Sequence, residues 1–334
     1  MKSYSYILVC IIALNACVSN TNNKYKESSS LDSTNQDISN SQFLKAEGFG
    51  KTKDDARRNA KDELAQIFEL EIKSTLKHST HAIINNSKED VLEKINKMIE
   101  FYSCVKLTGV SVIDSGFNNG FYKAIAFLNK SKARDNWLAE ISNCDEIIFA
   151  EFKNLKKVKS KVLHIKPIQI IWNNYMKRQS IVSRLTVIGF PAPFEKYQIK
   201  NIYNMIPDLR NNLKIFINVK GNQSKFLTST IGNELTKEGF ILTESYSNAD
   251  AIISGNLSIE PVKLSSKDWK YSRAKVSIKI KDKSTGLIMG NFIKSLRRGH
   301  LTYEEAKLKA VRVISKSISQ EVIFIFDPLS LTKD

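Results

Sequence analysis

The sequence predicts an α+β protein: two small sheet-plus-helix domains joined by a helical hairpin, following an N-terminal leader and a disordered tether. Apolar residues alternate with period two in some segments and recur at helical spacing in others, which indicates both strands and helices. A chain of 334 residues exceeds one ordinary domain of about 100–200 residues. The 42% hydrophobic and 25% charged content is globular, so it excludes a collagen-like, fully disordered or multi-span membrane protein.

Residues 1–16 are predicted to be a lipoprotein signal peptide. A basic start precedes a short apolar segment over residues 6–14, well below the about 20 residues that span a bilayer. The segment ends in Leu14-Asn15-Ala16-Cys17, which resembles the bacterial lipobox. That resemblance implies cleavage between Ala16 and Cys17 and acylation of Cys17, by diacylglycerol and then palmitate. The alternative is a buried N-terminal helix with an incidental cysteine.

Residues 17–41 are polar and without periodicity, which predicts a flexible tether. Several acyl chains on Cys17 would hold the protein on a membrane, since each buried methylene contributes about 0.8 kcal/mol. Val18 follows the cysteine where enterobacterial sorting would read an aspartate as a retention signal. By that resemblance the protein is expected on the outer membrane, lipid-anchored and most readily at its periplasmic face.

Residues 42–145 predict the first α+β domain, a small antiparallel sheet with helices on one face. Strands are expected over 43–50, 105–114 and 121–128, with a turn at 116–120. Thr52 should cap a helix, with Asp55 at the capping-box spacing. A second helix should begin at Ser87. The predicted inner faces of the two helices consist of Ala56, Ala60, Leu64, Ile67 and Phe68, and of Val91, Ile95 and Met98.

The run Ala46-Glu47-Gly48-Phe49-Gly50 and the following residues to Ala60 resemble the opening of the Lpp-twenty lipoprotein family, which FlgP-like and FlgT-like flagellar envelope proteins share. The shared pattern is a Gly-x-Gly strand end, a hydroxyl cap, acidic residues, Ala-Arg and a further Ala. This resemblance implies a structural lipoprotein of the outer membrane, often associated with the flagellum.

Residues 146–210 are predicted to be a helical connector. Helical patterning runs from Ser131 to about residue 163, is interrupted at Pro167 and then resumes. Gly189-Phe190-Pro191-Ala192-Pro193 is the clearest break in the chain. We expect an antiparallel hairpin with an apolar inner face and a lysine-rich outer face, in which Trp172 and Tyr175 belong to the core.

Residues 211–327 predict the second domain, followed by a tail over 328–334. Strands are expected over 213–219, 240–244, 249–257, 274–280 and 287–296. A helix over 224–238 should end at Gly239, and Thr302 with Glu305 should cap the last helix. That helix should bury Ala306, Ala310, Val313, Ile314, Ile318 and Val322. Ala249-Asp250 to Gly255, and the turn Asp282 to Gly286, resemble the periplasmic domain of TolB, CsgG and LpoB-type proteins, which implies the fold alone.

Two cysteines, Cys104 and Cys144, remain once the leader is removed and Cys17 is acylated. An exported compartment permits a disulfide between them, and two buried free thiols are the alternative. The histidines are scattered, and no nucleophile elbow or phosphate-binding loop occurs in the sequence. We therefore expect no catalytic residue, no metal site and no cofactor.

The formal net charge of +17 arises entirely beyond residue 150, because the residues before that point hold equal numbers of acidic and basic side chains. An exported chain does not meet nucleic acid, so an anionic envelope surface or partner is the expected counterpart. The leading hypothesis is a non-enzymatic outer-membrane lipoprotein with a structural or assembly role in the cell envelope. One version of this hypothesis associates the protein with the flagellum. Its partners would be envelope proteins or further copies of itself, with no small-molecule substrate. The alternatives are a regulator of a peptidoglycan synthase and an accessory subunit of a secretion apparatus.

Overall fold

The computed structural model describes residues 42–84, 89–104, 107–264 and 268–329. The chain from Gln42 onward forms one compact unit of mixed helix and strand, which confirms the predicted α+β class. The predicted signal peptide and tether lie outside the described residues. The expected boundaries at 145 and 210 stay a prediction.

The first sheet has three antiparallel strands, β1 (Phe43–Gly50), β2 (Val110–Asn118) and β3 (Phe121–Asn129), in the order β1-β3-β2. The prediction for β2 was wrong at both ends. A bulge between Asp114 and Gly116 lets the strand continue to Asn118. The turn then contracts to Asn119 and Gly120, both with positive φ, a two-residue connection that matches the twist of the hairpin.

Helix α1 (Lys53–Ile84) lies across one face of this sheet and α2 (Glu89–Ser103) packs beside it. The predicted cap is confirmed, since the Asp55 backbone N–H donates to Thr52 Oγ1 at 3.1 Å. Ser87 lies outside the described residues. The α1 stripe recurs every four residues and is fully buried at Ala56, Ala60, Leu64, Phe68, Ile72 and Leu76. Ile67 was wrongly placed in it: it precedes Phe68 by one position, turns away from the sheet and is 37% exposed. On α2, Ile95 and Met98 are buried and Val91 is half-buried.

Helices α3 (Lys130–Lys157) and α4 (Ile165–Val187) pack on each other, and α5 (Ile199–Asn212) follows. Pro167 does not interrupt a helix, contrary to the prediction. It occupies the first turn of α4, where a missing N–H costs nothing. The reversal instead falls between Val158 and the 3₁₀ turn Val162–His164.

Helix α4 is the most enclosed part of the molecule. It contacts α1, α2, α3 and α5, and Trp172 and Tyr175 are buried, as predicted. Its polar Gln169, Asn173 and Gln179 are buried as well. The lysine-rich outer face predicted for the hairpin is therefore confined to α3, and α4 is a core helix instead of the second arm of an exposed connector.

The second sheet has the strand order β5-β4-β6-β7-β8. Its strands are β4 (Lys214–Gly221), β5 (Ile241–Leu242), β6 (Ala251–Val262), β7 (Lys270–Asp282) and β8 (Ile288–His300). Strand β4 is parallel to β5 and β6, and the remaining pairs are antiparallel. The predicted strand over 240–244 shrinks to the two residues of β5.

Helices α6 (Ser224–Lys237) and α7 (Tyr303–Phe326) cover one face of the second sheet. Gly239, with φ of +90°, ends α6 as predicted, and Thr302 caps α7 by accepting from the Glu305 N–H. The predicted α7 stripe is buried except at Val313, which is half-buried.

A cluster of buried or part-buried charges joins the parts of the molecule that carry the two sheets. Lys94 Nζ on α2 lies 2.6 Å from Glu238 and 3.0 Å from Asp327. Arg210 on α5 lies 2.8 Å from the same Asp327 and 3.2 Å from Glu238. Four segments distant in sequence are thereby held at one point.

Among the helices that the structure describes, none has both the length and the apolar character that crossing a membrane requires.

Candidate partner-docking site

The loop between α4 and α5, residues 189–198, presents an unusually exposed aromatic side chain. Helix α4 ends where Gly189 adopts a φ of +82°, and the Gly189 and Phe190 N–H groups donate to carbonyls of the last helical turn. Pro191 and Pro193 then restrict the backbone. Phe194 follows with 87% of its surface exposed. We call residues 189–198 the Phe194 loop.

A buried arginine fixes the backbone of this loop from below. The Arg178 side chain on α4 is only 3% exposed. Its Nε donates to Asp145 on α3 at 2.7 Å, and its guanidinium also donates to the Phe194 carbonyl at 2.8 Å. Because a charge-assisted bond in a buried setting is stronger than an ordinary one, the Phe194 backbone is firmly held.

A second contact fixes the next residue. The Tyr175 hydroxyl donates to Glu195 Oε1 at 2.5 Å, and the Gln179 side-chain amide donates to the same Glu195 oxygen at 3.0 Å and to Tyr175 Oη at 2.9 Å. Burial, reinforced by the bond to Glu195, raises the pKa of Tyr175 far above the ordinary phenol value. Tyr175 therefore remains a neutral donor even at alkaline pH values where an exposed phenol ionises, which suits it to a positioning role.

The surface around the loop combines aromatic rings with ammonium groups. Phe149 on α3 is 47% exposed, and the Nζ atoms of Lys196 and Lys153 lie 4.8 and 5.5 Å from its ring centroid. Phe152 stacks on Tyr197 with centroids 4.9 Å apart, which anchors the far end of the loop. Lys153 and Lys196, the latter from the Phe194 loop, thus form a cationic rim around Phe149.

This arrangement suits recognition of a partner. An aromatic side chain on a fixed backbone has little conformational entropy to lose when it enters a pocket, and a few large buried anchors of this kind carry most of the energy in protein interfaces. The cationic rim would favour a partner whose pocket is bordered by carboxylates.

The sequence-predicted site residues lie elsewhere. Ala16 and Cys17 are outside the described residues. Cys104 is exposed directly after α2, whereas Cys144 is buried on α3 between Ile141 and Ile148. Both are free thiols in this structure, and the disulfide that an exported compartment would permit between them stays a prediction. Cys144 points into the core as part of the α3 stripe, where burial raises its pKa and keeps it a neutral thiol.

The histidines are dispersed, as their sequence positions suggested. His78 and His81 are exposed on α1. His164 bonds to the Val158 carbonyl at 2.8 Å, and His300 Nδ1 lies 2.5 Å from Glu305 at the start of α7. Across residues 42–84, 89–104, 107–264 and 268–329, no three His, Cys, Asp or Glu side chains are grouped so that they could hold a metal ion.

Sequence reasoning identified residues 189–193 as a break but missed Phe194. The sequence did contain a signal for its exposure. Phe194 lies between a Pro-rich turn and Glu195-Lys196, and it belongs to no helical or strand pattern that would predict burial. Of the two residues that fix it, Tyr175 was predicted only as a core residue, and Arg178 was not singled out.

No protein-family model matches the chain, and no curated protein matches it. The resemblances to the Lpp-twenty family and to TolB-type domains therefore stay predictions. Among solved structures, the secreted protein HP1454 from Helicobacter pylori is 14% identical over 83% of this chain and 97% of its own, with a TM-score of 0.39. The minor lipoprotein from Acinetobacter baumannii is 14% identical over 34% of this chain and 89% of its own, with a TM-score of 0.28. Rare lipoprotein B from Shewanella oneidensis is 15% identical over 34% and 89%, with a TM-score of 0.24.

Proposed function

We propose that this protein is a non-enzymatic lipoprotein of the bacterial outer membrane that acts in assembly of the cell envelope by docking a protein partner at the Phe194 loop. Cys17 would carry the lipid anchor, and the polar segment after it would give the globular part its reach. The observation that carries the docking role is the 87% exposure of Phe194 on a backbone fixed by the buried Arg178.

The partner that fits this site has an apolar pocket bordered by acidic side chains. The pocket would receive the Phe194 ring, and the acidic border would pair with Lys153 and Lys196. A flagellar basal-body component is the first candidate, on the resemblance of residues 46–60. A peptidoglycan synthase is the alternative partner.

The anchor is tested by Cys17→Ser in the full chain. Since both the thioether and the acylated amine depend on this residue, the variant should leave the membrane fraction and lose detergent-phase partitioning. Unchanged partitioning of the variant would show that Cys17 is not the attachment point.

The docking role is tested by placing a photo-crosslinking phenylalanine at position 194 in cells and identifying the adduct by mass spectrometry. The matched control is Phe117, which is also an exposed aromatic at 62% but lies at the tip of the β2–β3 hairpin. We expect an adduct with one envelope protein from position 194 and not from position 117. A flagellar protein, a synthase, a secretion subunit or a second copy of this chain would each be distinguished by its mass.

An adduct shows only that two proteins are close, so the purified partner must then bind the full chain in solution. Replacing the Asp and Glu side chains that border the partner's pocket must weaken this binding. Phe194→Ala should weaken that binding by about 30-fold, the size of effect typical of a central hot-spot residue. Equal affinity of the Phe194→Ala and Phe117→Ala variants would refute the docking role without bearing on the anchor.

A further inference from the structure

The second sheet has one covered and one open face. On β7, Ala274, Val276, Ile278 and Ile280 are completely buried beneath the helices. The residues that alternate with them point to the opposite face, where most of the side chains on β7 and its neighbours are exposed or half-buried. We call this the open face.

The open face is strongly cationic. Register places basic side chains from the three strands β4, β7 and β8 on it, whereas Glu260 is the one carboxylate among the strand residues described there. Glu260 is 3.4 Å from Arg273 and neutralises only that position. The basic residues are Lys214, Lys220, Arg273, Lys275, Lys279, Lys281 and Arg297.

The cations form a line and not a pocket. Arg273, Lys275, Lys279 and Lys281 follow one another along β7 and span about 27 Å at about 3.4 Å per residue. A small anion would contact one or two of these groups. An extended polyanion lying along the strand would contact all of them, and its charge would be neutralised at repeated intervals.

Uncharged hydrogen-bonding groups lie among the cations, together with the exposed apolar side chain of Ile293. They come from each of the four long strands and comprise Asn218, Ser254, Asn256, Ser258, Ser277, Asn291 and Ser295. Hydroxyl and amide groups both donate and accept, so they match the hydroxyls of a sugar chain. Binding to a phospholipid surface would not require hydrogen-bonding side chains across the whole face.

An aromatic platform lies at one end of the same face. A Cβ on Gly299 would come within 2.6 Å of the Tyr271 ring and 3.1 Å of the Trp269 ring, so the glycine lets both rings lie close against β8. Arg297 lies 5.7 Å from the Tyr271 centroid, and Trp269 is 46% exposed. Aromatic faces of this kind stack on the C–H face of a pyranose ring.

We propose that the open face of the second sheet binds an extended anionic glycan, with Arg273, Lys275, Lys279 and Lys281 pairing its carboxylates or phosphates and Trp269 stacking on a sugar ring. This site is separate from the Phe194 loop, so either can fail without the other.

The experiment uses the full chain carrying Cys17→Ser, so that acyl chains do not contribute to binding. The probes are purified peptidoglycan sacculi, lipid-free polysaccharide released from lipopolysaccharide, polygalacturonate, uncharged dextran, and vesicles of phosphatidylcholine with phosphatidylglycerol. Sacculi and released polysaccharide distinguish a cell-wall from an outer-membrane source of the same chemistry. Arg273→Gln/Lys275→Gln/Lys279→Gln removes three charges from the open face, and Lys61→Gln/Lys156→Gln/Lys157→Gln removes three exposed charges from helices.

We expect binding to one anionic glycan and to polygalacturonate, none to dextran, and a decrease of at least about tenfold in affinity for the open-face variant, since each lysine near an anionic surface contributes several-fold. The helix variant should bind as the parent does, and Trp269→Ala should weaken glycan binding at high salt, where charge pairing is screened. Thermal unfolding of each variant shows that it is folded.

Three results would overturn the proposal. Equal losses of glycan affinity in the open-face and helix triple variants would show that net charge, and not the open face, causes the binding. Vesicle binding as tight as glycan binding would make the open face a membrane-contact surface. Failure of the folded parent to bind any anionic glycan would leave the open face without this role.

Discussion

At the scale of single residues, Gly48 allows a strand and a helix to approach each other very closely. The Cβ of any larger residue at Gly48 would lie 2.1 Å from the Ala60 backbone nitrogen and 2.4 Å from the Ala56 carbonyl oxygen. Strand β1 and helix α1 therefore meet backbone to backbone. The Gly-x-Gly pattern at residues 48–50 supplies the strand side of this contact, and the Ala-x-x-x-Ala pattern at residues 56–60 supplies the helix side. The close approach of the two backbones is the physical reason for both patterns.

Gly48→Ala should destabilise the fold by about 3 kcal/mol or more, because neither backbone can move aside without breaking the sheet or the helix. Urea unfolding of the full chain measures this. Gly232→Ala is the control, since its Cβ would meet only side-chain ends, those of Leu242 at 3.1 Å and Ile217 at 3.8 Å, and the helix gains propensity. Similar unfolding midpoints for the two variants would show that the β1–α1 contact is looser than described.

Tyr175 predicts a pH dependence. The unfolded chain ionises this phenol near pH 10, while the folded chain holds the proton because its pKa is raised by burial. The contribution of Tyr175 to stability is therefore complete below about pH 10 and declines as the pH rises further. Tyr175→Phe should flatten the fall in unfolding free energy above pH 10, as measured by urea unfolding at several pH values between about 9 and 11. Parallel curves for the variant and the parent protein would contradict the assignment.

At the scale of elements, helix starts were predictable because their signals are local. Thr52 with Asp55 and Thr302 with Glu305 were identified from spacing alone, and both hydroxyls accept the expected N–H. Strand ends and burial were less predictable. The β2 bulge depends on pairing with β3, and the depth of α4 depends on helices that lie far away in sequence.

Thr302→Ala should cost about 1 kcal/mol, since the variant leaves the Glu305 N–H without its partner at the start of α7. Thermal or urea unfolding provides the measurement. Thr230→Ala, on a mid-helix threonine of α6 whose hydroxyl bonds within the helix, should change stability far less. A larger effect at position 230 than at 302 would show that the cap contributes little.

The open face illustrates the same limit on prediction. Alternation along β7 predicted one buried and one polar face from the sequence. Which face the helices cover, and how lysines from separate strands align beside one another, depends on sheet order and register, which no local pattern specifies.

At the scale of the whole molecule, the charge cluster of Lys94, Arg210, Glu238 and Asp327 connects the parts that carry the two sheets. We therefore expect a single unfolding transition. Fluorescence of Trp172, which reports on the helical core, and of Trp269, which reports on the second sheet, should change at the same urea concentration in single-tryptophan variants.

Arg210→Met should lower the midpoint seen by both probes and cost about 3 kcal/mol of stability, because Lys94 alone then faces the two enclosed carboxylates Glu238 and Asp327. Arg298→Met, on the edge strand β8, is the matched control and should have little effect. Two separated transitions in the parent protein would instead favour the independent domains that the sequence predicted.

The central position of α4 also has a kinetic consequence. Helix α1 ends at Ile84, but its apolar stripe is not fully covered until α4, which begins only at Ile165, packs against it. A chain that emerges N-terminus first, from a ribosome or a translocation channel, would expose that stripe until α4 follows. The first sheet is thus expected to fold late despite coming first, and to depend during that interval on whatever keeps nascent chains from aggregating.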